Sequence, residues 1–502
     1  MKEKHLRASL LLLFLFLLLS SSPTLASPPP SHRICVIGSG IAGSSLSHFL
    51  KTYSPNPSSL QITIFERNLI VGGRTATVTI AGDTFEAGAS IIHPKNLHAL
   101  KFTSLLNLPI KTQSNKSDSS SWFGIWDGSR FVFKTLQPPT PKSGPPFYAK
   151  IVSFLNSLLV FGRYGFSLLR MERFVDKTVG SFLRYYENLE SRPVFSTVEE
   201  MLKWADLYGL TRRTLQEELA DAGLSRRLIS ELVTVITRIN YGQNVSISGL
   251  AGAVSLAGSD SGLWSVEGGN WQLAAGLIRH SNASLHLHEE ISSVSYTEGL
   301  YELNSTKGNS YSCDITVVAT PLDEIKISFT PPISIPKRRL QHTHATFVRG
   351  LLNPAYFGLS SASEIPELVG TIEAPDLPFS SISILKKYSE EDMTYKVFSR
   401  IAMADELLDL IFSTRRETIR INWGAYPHYE APEAFAPFLL DGLHLYYINA
   451  FENAASTIET SSVAAENVAR LILSRIDPTS RSDIPTLEST GSHEGENLHV
   501  DL

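Results

Sequence analysis

The 502-residue chain is 43% hydrophobic and 19% charged, which supplies a large core and more length than one ordinary domain holds. Its net charge of −5 excludes a protein that grips nucleic acid by bulk electrostatics. Two cysteines, Cys35 and Cys313, are too few for a disulfide framework; both flank apolar strand-like runs and read as buried free thiols rather than a bridge.

Lys2, Lys4 and Arg7 precede a short apolar run, Leu10 to Leu19, and small residues follow to Ala26. Residues 1–26 read as a secretory signal peptide, because the run falls short of the ~20 residues that span a membrane. Sequons at Asn115, Asn244, Asn282 and Asn304 fit a glycosylated lumenal protein, with Asn244 expected to be the shielded one. Past a spacer, an apolar strand from Ile34 to Ile37 runs into Gly38-Ser39-Gly40-Ile41-Ala42-Gly43, and a helical segment follows to Leu50. Strand, glycine turn and helix in this order make a dinucleotide-binding fingerprint. The first glycine permits a tight turn, the second lets backbone approach a pyrophosphate, and the third lets helix and strand pack closely. The helix N-terminus offers free N–H groups to the phosphates. A second strand, Ile62 to Phe65, ends at Glu66-Arg67. Glu66 lies about 20 residues past the glycines, where a ribose-binding carboxylate belongs.

Next comes Val71-Gly72-Gly73-Arg74-Thr75, a glycine pair that brings backbone close to a cofactor beside an arginine able to reach a phosphate. Small residues in Glu86-Ala87-Gly88-Ala89-Ser90 let the chain pass close to a flat ring system. From Phe147 to Met171 the chain is strongly apolar and helical, broken near its end by Gly162 and Gly165; it reads as a substrate-domain helix rather than a membrane-touching one. Several helices are expected between Val179 and Asn240, one of them from Ser225 to Ile239. Ile315 to Thr320 is a buried parallel strand ending in a turn, strands dominate 335–430 around a helix from Met403 to Ser413, and Leu443 to Asn449 is a further strand. Thr460 is placed to cap a last helix, Ser461 to Ile476, and 477–502 form a polar, disordered tail.

Nucleotide-binding strands at both ends of the chain imply one domain assembled from separate pieces. The glycine turn, Glu66, the GGRT element, the Val317-Val318-Ala319 strand end and the C-terminal strand and helix together resemble FAD enzymes of the amine-oxidase and glutathione-reductase-like class. The resemblance implies an α/β protein, α+β overall. A discontinuous GR2-type FAD-binding Rossmann domain (33–105, 240–325 and 436–476) would carry an inserted mixed sheet-plus-helix substrate domain (106–239 and 326–435). It implies FAD contacts at Gly38, Gly40, Ile41, Ala42, Gly43, Glu66, Arg67, Gly72, Gly73, Arg74, Ala89, Ser90, Ala319 and Asn449. No second glycine fingerprint offers an NADPH domain, so the substrate is the reductant and oxygen the expected acceptor. No metal site is expected.

More specific runs narrow the match. EAGASIIHPKNLH (Glu86–His98), RYGFSLLRM (Arg163–Met171), RINYGQ (Arg238–Gln243), SDSGLWSVEGGN (Ser259–Asn270) and YPHYEAP (Tyr426–Pro432) resemble the prenylcysteine oxidase family, and most of all its plant branch. The resemblance covers about 33–475. It implies a thioether oxidase in the secretory pathway, lysosomal or vacuolar, that turns an S-prenyl-L-cysteine, oxygen and water into prenyl aldehyde, cysteine and hydrogen peroxide, with farnesyl favoured.

Such chemistry needs few side chains. The attacked carbon is allylic and bonded to sulfur, so hydride loss leaves a cation stabilised by both neighbours, and water addition gives a hemithioacetal that collapses. The protein has to hold that carbon in place, exclude bulk water and supply an apolar groove. Residues 147–171 and 225–257 are expected to line it. His93 is the candidate for handling the water, with a structural role as the alternative. His428 reads as a substrate contact or a loop-packing residue, and Glu267 as an amine partner or an exposed turn carboxylate. Peripheral membrane contact would suit an amphiphilic substrate, and a monomer or homo-oligomer is expected. Two rival readings share the generic motifs: a flavin amine or polyamine oxidase, and a non-catalytic prenyl carrier of the Rab escort type.

Overall fold

The computed structural model describes residues 32–112, 122–138, 146–187, 189, 191–259 and 261–476. The signal segment 1–26, the sequon at Asn115 and the tail 477–502 lie outside the described residues.

Strand β1 (His32–Ile37) forms because its apolar, β-branched residues bury both faces; Ile34 and Val36 are fully enclosed. Glycines end it, and helix α1 (Ile41–Tyr53) carries the chain back to a parallel partner, β2 (Leu60–Glu66), in register from His32↔Leu60 to Ile37↔Phe65. The other edge of β1 pairs in parallel with β3 (Ile315–Val318), Ile34↔Ile315 to Ile37↔Val318. The sheet has five parallel strands in the order Leu445–Tyr447, β3, β1, β2, Ser284–Leu287. Segments hundreds of residues apart thus complete one nucleotide-binding sheet, and its strand order reverses around β1, where such folds leave a ligand crevice.

A closing helix, Ile458–Ile476, packs along α1, with the Ser45 and Ser462 hydroxyls 3.3 Å apart. Thr460 is not its N-cap residue: it lies in the first turn, where its Oγ1 accepts the Thr457 N–H at 2.9 Å. Thr457 is the cap: its Oγ1 accepts the Thr460 N–H at 3.0 Å, so the helix starts three residues before Ser461. Glu459, in its first turn, reaches out to accept the N–H groups of His98 (2.6 Å) and Ala99 (3.1 Å). It thereby caps the neighbouring helix, Leu97–Leu105.

A seven-stranded sheet lies over this domain. It is built around β4 (Leu340–Leu352), flanked by β5 (Asp392–Ser399) and β6 (Phe412–Pro427), and two strands from far upstream, Phe123–Trp126 and Phe131–Lys134, complete its other edge. On one face Ala345 and Phe347 pack against Ile80 and Ala87 of the Thr77–Glu86 hairpin region, with Trp423 alongside.

Three expectations need correction. Cys35 and Cys313 are bonded to each other, Cα atoms 5.9 Å apart, because the Ser310–Cys313 strand ends beside β1. The apolar stretch from Phe147 breaks at Gly165 (φ +57°, in the left-handed region), as its glycines lead one to expect, into α2 (Pro146–Tyr164) and α3 (Ser167–Leu183), but its role as a groove lining does not hold. Most of the apolar side chains of α2 face outward (Phe154 is 63% exposed), so this stretch does not line an enclosed groove, whereas 234–241 and 249–257 are largely buried. The Met403–Ser413 helix is shorter, Asp405–Ile411: extended backbone at Ala404 precedes it and β6 begins directly after it at Phe412.

Candidate active site

The site is built where the first glycine turn, the GGRT turn, the end of β3 and the start of the closing helix converge. Gly38 donates its N–H to the Phe65 carbonyl at 2.8 Å with φ +113°, a conformation L-residues avoid. A Cβ there would stand 2.6 Å from the Ala319 carbonyl oxygen, so the turn closes against the end of β3. Gly40 faces the GGRT turn and bridges to Gly72 in parallel. Gly72 has φ +120°, and its carbonyl accepts both the N–H (3.1 Å) and the hydroxyl (2.8 Å) of Thr75. The two turns form one backbone cradle.

Glu66 is buried at the end of β2 and organises that cradle. One carboxylate oxygen accepts the Ser39 N–H at 3.0 Å and hydroxyl at 2.6 Å; the other accepts the Asn68 N–H at 2.9 Å and side-chain amide at 2.8 Å. These bonds fill about four acceptor directions, the capacity of a carboxylate. A ribose diol reaching Glu66 therefore has to take the place of a side-chain donor. Arg67, next in sequence, is exposed.

Arg74 is turned away from the glycines. It donates to the Ala425 carbonyl at 2.8 Å and pairs with Glu452, which is also 3.4 Å from Arg338. Burial raises the Glu452 carboxyl, and the guanidinium groups of Arg74 and Arg338 more than reverse this, holding it below its ordinary value. GGRT is thereby tied to β6 and to the turn before the closing helix. Beside Glu452, side chains of Ala42, Ile448, Asn449, Thr460 and Ser461 among others line a narrow cleft between α1, the turn and the closing helix. Asn449 is 4% exposed, and its Oδ1 has no hydrogen-bond partner among the described residues. A buried, unsatisfied acceptor costs free energy unless a ligand or water completes it. The paired glycine turns, Glu66, the α1 N-terminus and this acceptor fit a bound FAD.

The Glu86–Ser90 run passes between the cradle and β6: a Cβ on Gly88 would meet the Arg74 carbonyl at 2.0 Å and the Trp423 ring at 3.0 Å. The Ala89 N–H donates to the Arg74 carbonyl at 3.1 Å, and the Ala89 carbonyl accepts the Asn270 amide at 2.8 Å. A residue that sequence reasoning missed holds this run from above. Lys396 of β5, 5% exposed, donates to the Glu86 carbonyl at 3.0 Å and the Ser90 hydroxyl at 3.1 Å, with its ammonium 4.5 Å from the Phe398 ring centre. Burial lowers it to about 8. The Glu86 side chain accepts the Asn270 N–H at 2.6 Å through one oxygen and leaves the other without a partner among the described residues; burial raises it to about 7. One buried acid and one buried amine, both displaced towards neutrality, thus flank the run. A lysine inside β5 carries an alternation signal, but only the packed hairpin reveals that its side is covered.

His93 is half-buried, and its Nδ1 accepts the Lys95 N–H at 3.0 Å, a turn-forming bond that leaves the proton of the neutral ring on Nε2. Glu267 is exposed; its carbonyl accepts the Gln272 side-chain amide at 2.7 Å and its N–H donates to the Pro109 carbonyl at 2.9 Å. His428 is half-buried, its N–H bonded to the Arg339 carbonyl, and burial lowers its pKa. Two of the distinctive runs meet each other. The Tyr241 ring lies 4.8 Å from Tyr426 and 5.0 Å from Tyr429. Gln243 donates to the Pro427 carbonyl and accepts the Tyr429 N–H. Tyr429 and Tyr241 both bond Ser456, just before the closing helix. Arg238, 2% exposed, anchors the Thr234–Tyr241 helix to Glu373 at 2.5 Å and to the Phe379 carbonyl. Of the sequons, Asn282 is exposed, while Asn244 and Asn304 are half-buried and hydrogen-bonded.

The family model described as prenylcysteine lyase matches residues 147–483, and a model for an NAD(P)-binding Rossmann-like domain matches 36–104. Farnesylcysteine lyase of Arabidopsis thaliana is 64% identical over 444 residues, 88% of each chain. Human prenylcysteine oxidase 1 is 34% identical over 477 residues, covering 89% of this chain and 90% of its own. Among solved structures, putrescine oxidase superposes with a TM-score of 0.57 at 13% identity, over 89% of this chain and 99% of its own. Cyclohexylamine oxidase from Brevibacterium oxydans superposes at 0.55 and 17%, over 89% and 100%. At such identities the likeness is one of fold, and it shows that the α/β architecture is shared with amine oxidases. The match to the lyase and oxidase sequences, along nearly nine-tenths of each chain, goes further: this chain belongs to the prenylcysteine lyase family.

Proposed function

We propose that the protein is an FAD-dependent thioether oxidase. S-prenyl-L-cysteine, with farnesyl as the preferred chain, reacts with oxygen and water to give prenyl aldehyde, cysteine and hydrogen peroxide. The observation that carries this reading is the 64% identity to a farnesylcysteine lyase along 88% of both chains. The meeting of the distinctive runs around Ser456, next to the cofactor cradle, supports it.

FAD, when bound, supplies the acceptor for the hydride that leaves the carbon next to sulfur. The chain's own residues orient and shield. Glu66 and the two glycine turns fix the dinucleotide end. The Arg74–Glu452–Arg338 chain locks GGRT to β6, so the cradle and the overlying sheet hold one spacing. Lys396 fixes the Ser90 hydroxyl and the Glu86 carbonyl from the sheet side, which keeps the small-residue run in place. The tyrosines at 241, 426 and 429 cover the start of the closing helix with apolar rings and exclude bulk water there. Incubating the FAD-loaded protein with S-farnesylcysteine and measuring farnesal and peroxide together tests the assignment. Equal amounts of both are expected, and peroxide from putrescine but not from the thioether would favour the amine-oxidase reading.

The protein is proposed to act in the lumen of the secretory pathway, in the vacuole or a lysosome-like compartment. The signal-like segment, the exposed sequon at Asn282 and the Cys35–Cys313 bridge support this, since disulfides persist in oxidising compartments. A glycosidase-sensitive mass shift together with vacuolar fractionation checks it. A monomer or small homo-oligomer in peripheral contact with a bilayer completes the reading.

A further inference from the structure

Ten of the 21 exposed large apolar side chains among the described residues fall between 147 and 169. They lie on α2 and its turn into α3. Phe147, Ile151, Phe154, Leu158 and Phe161 recur at helical spacing along one face, and Phe166 at the turn is 69% exposed. The helix is inside out. Its protein-facing side carries Asn156, whose amide is bonded to the Leu136 backbone in both directions, at 2.6 and 3.0 Å. Arg163 and Tyr164 reach inward to Glu231 at 2.6 and 2.9 Å. Polar anchors hold the inner face while aromatic and aliphatic groups point to solvent, the reverse of a water-facing helix.

The pair cannot cross a bilayer as a straight span. Among the described residues no single helix is long and apolar enough, and the two halves meet at 95°. Charge follows the same logic. Residues 147–183 carry five cationic side chains and two acidic ones, Glu172 and Asp176, a local net charge of +3 in a chain of −5. Lys150 and Arg173 are exposed. A broad apolar face bordered by cations matches the interface of an anionic bilayer.

We propose that the outer face of α2, with the Gly165 turn, is a docking surface for an anionic lipid bilayer, lying in the interface plane. The proposal rests on the thioether-oxidase reading for its purpose: a prenyl amphiphile partitions into lipid, and a docked enzyme meets it there. It does not rest on that reading for its test.

The FAD-loaded full chain is floated with phosphatidylcholine vesicles and with vesicles containing phosphatidylserine. Binding is expected to be stronger with phosphatidylserine and to weaken with salt. Phe154→Glu with Leu158→Glu is expected to reduce binding at least about tenfold, because interfacial affinity scales with buried apolar area. Lys150→Glu with Arg173→Glu is expected to remove the preference for anionic lipid. All the altered residues are exposed, so flavin content and melting temperature should match the parent. Absent vesicle binding, or binding unaffected by Phe154→Glu with Leu158→Glu, overturns the proposal. So does a solution dimer that this double variant dissociates, which would make the face a contact between copies. Peroxide from micelle-free S-farnesylcysteine, measured on the same samples, reports the reaction separately; its absence in the parent refutes the thioether-oxidase assignment and leaves the vesicle result standing.

Discussion

Two glycines of the first turn, substituted one at a time, separate a cofactor cradle from an ordinary strand–helix corner. A Cβ on Gly43 would lie 2.1 Å from the Gly38 carbonyl oxygen and 3.1 Å from a Val36 methyl. Ordinary contact begins at 3.4 Å, so Gly43→Ala forces α1 away from β1. Overpacking of this kind costs about 1–3 kcal/mol. Gly40 differs. Its φ of −69° and ψ of −174° suit any residue, and the nearest atom to a new Cβ would be the Gly72 carbonyl oxygen at 3.8 Å. Gly40→Ala therefore leaves the protein alone unstrained and places a methyl where backbone should approach a pyrophosphate. The apoprotein of Gly40→Ala should melt within about 1 °C of the parent, as a surface change without strain does. Its FAD affinity should fall about tenfold or more, since each 1.4 kcal/mol of steric cost in the bound state is a factor of ten. Gly43→Ala should lose both stability and affinity. Thermal melts of the deflavinated proteins, followed by FAD titration monitored by flavin fluorescence, measure both quantities. A Gly40→Ala protein that binds FAD with the parent's Kd refutes the cradle.

Other expectations follow from the bridge, the buried acid and His93. The Cys35–Cys313 bond closes a 278-residue separation, for which loop entropy gives about 6 kcal/mol. Cys35→Ser with Cys313→Ser should lower the melting temperature by several degrees, and alkylation of denatured, unreduced parent protein should label no thiol; two labelled thiols contradict the bridge. Burial holds Glu86 near 7 against an ordinary 4.5, so the folded state binds the extra proton between these values and stability falls as pH rises through that window. The slope amounts to at most about 3 kcal/mol, and Glu86→Gln should abolish it; a variant that keeps the slope places its source elsewhere. His93→Ala should cost about 1 kcal/mol for the lost turn bond and leave kcat near the parent value; a collapse in kcat at unchanged stability would give His93 a chemical role.

Local signals announced local structure. The glycine spacing and Glu66 could be read because a turn, a close approach and a capping carboxylate each demand particular residue types within a few positions. Lys396 could not be read as buried, because a lysine in a strand is covered only when a distant hairpin packs on it. The cysteine pair was misread for the same reason: each cysteine is apolar in its own surroundings, and only the sheet brings them together. The α2 periodicity reveals a stripe but not which way it faces; that depends on Asn156, Arg163 and Tyr164 finding partners at Leu136 and Glu231. Arg74 showed its charge but not its destination, which lies at Glu452, far along the chain.

The decisive property of the protein is the thioether as electron donor. The direct measurement is anaerobic mixing of the FAD-loaded protein with S-farnesylcysteine while following flavin absorbance near 450 nm. The account expects bleaching with release of one farnesal per flavin, and recovery of the colour with peroxide when oxygen is admitted. Absorbance unchanged by S-farnesylcysteine but bleached by an amine would contradict it.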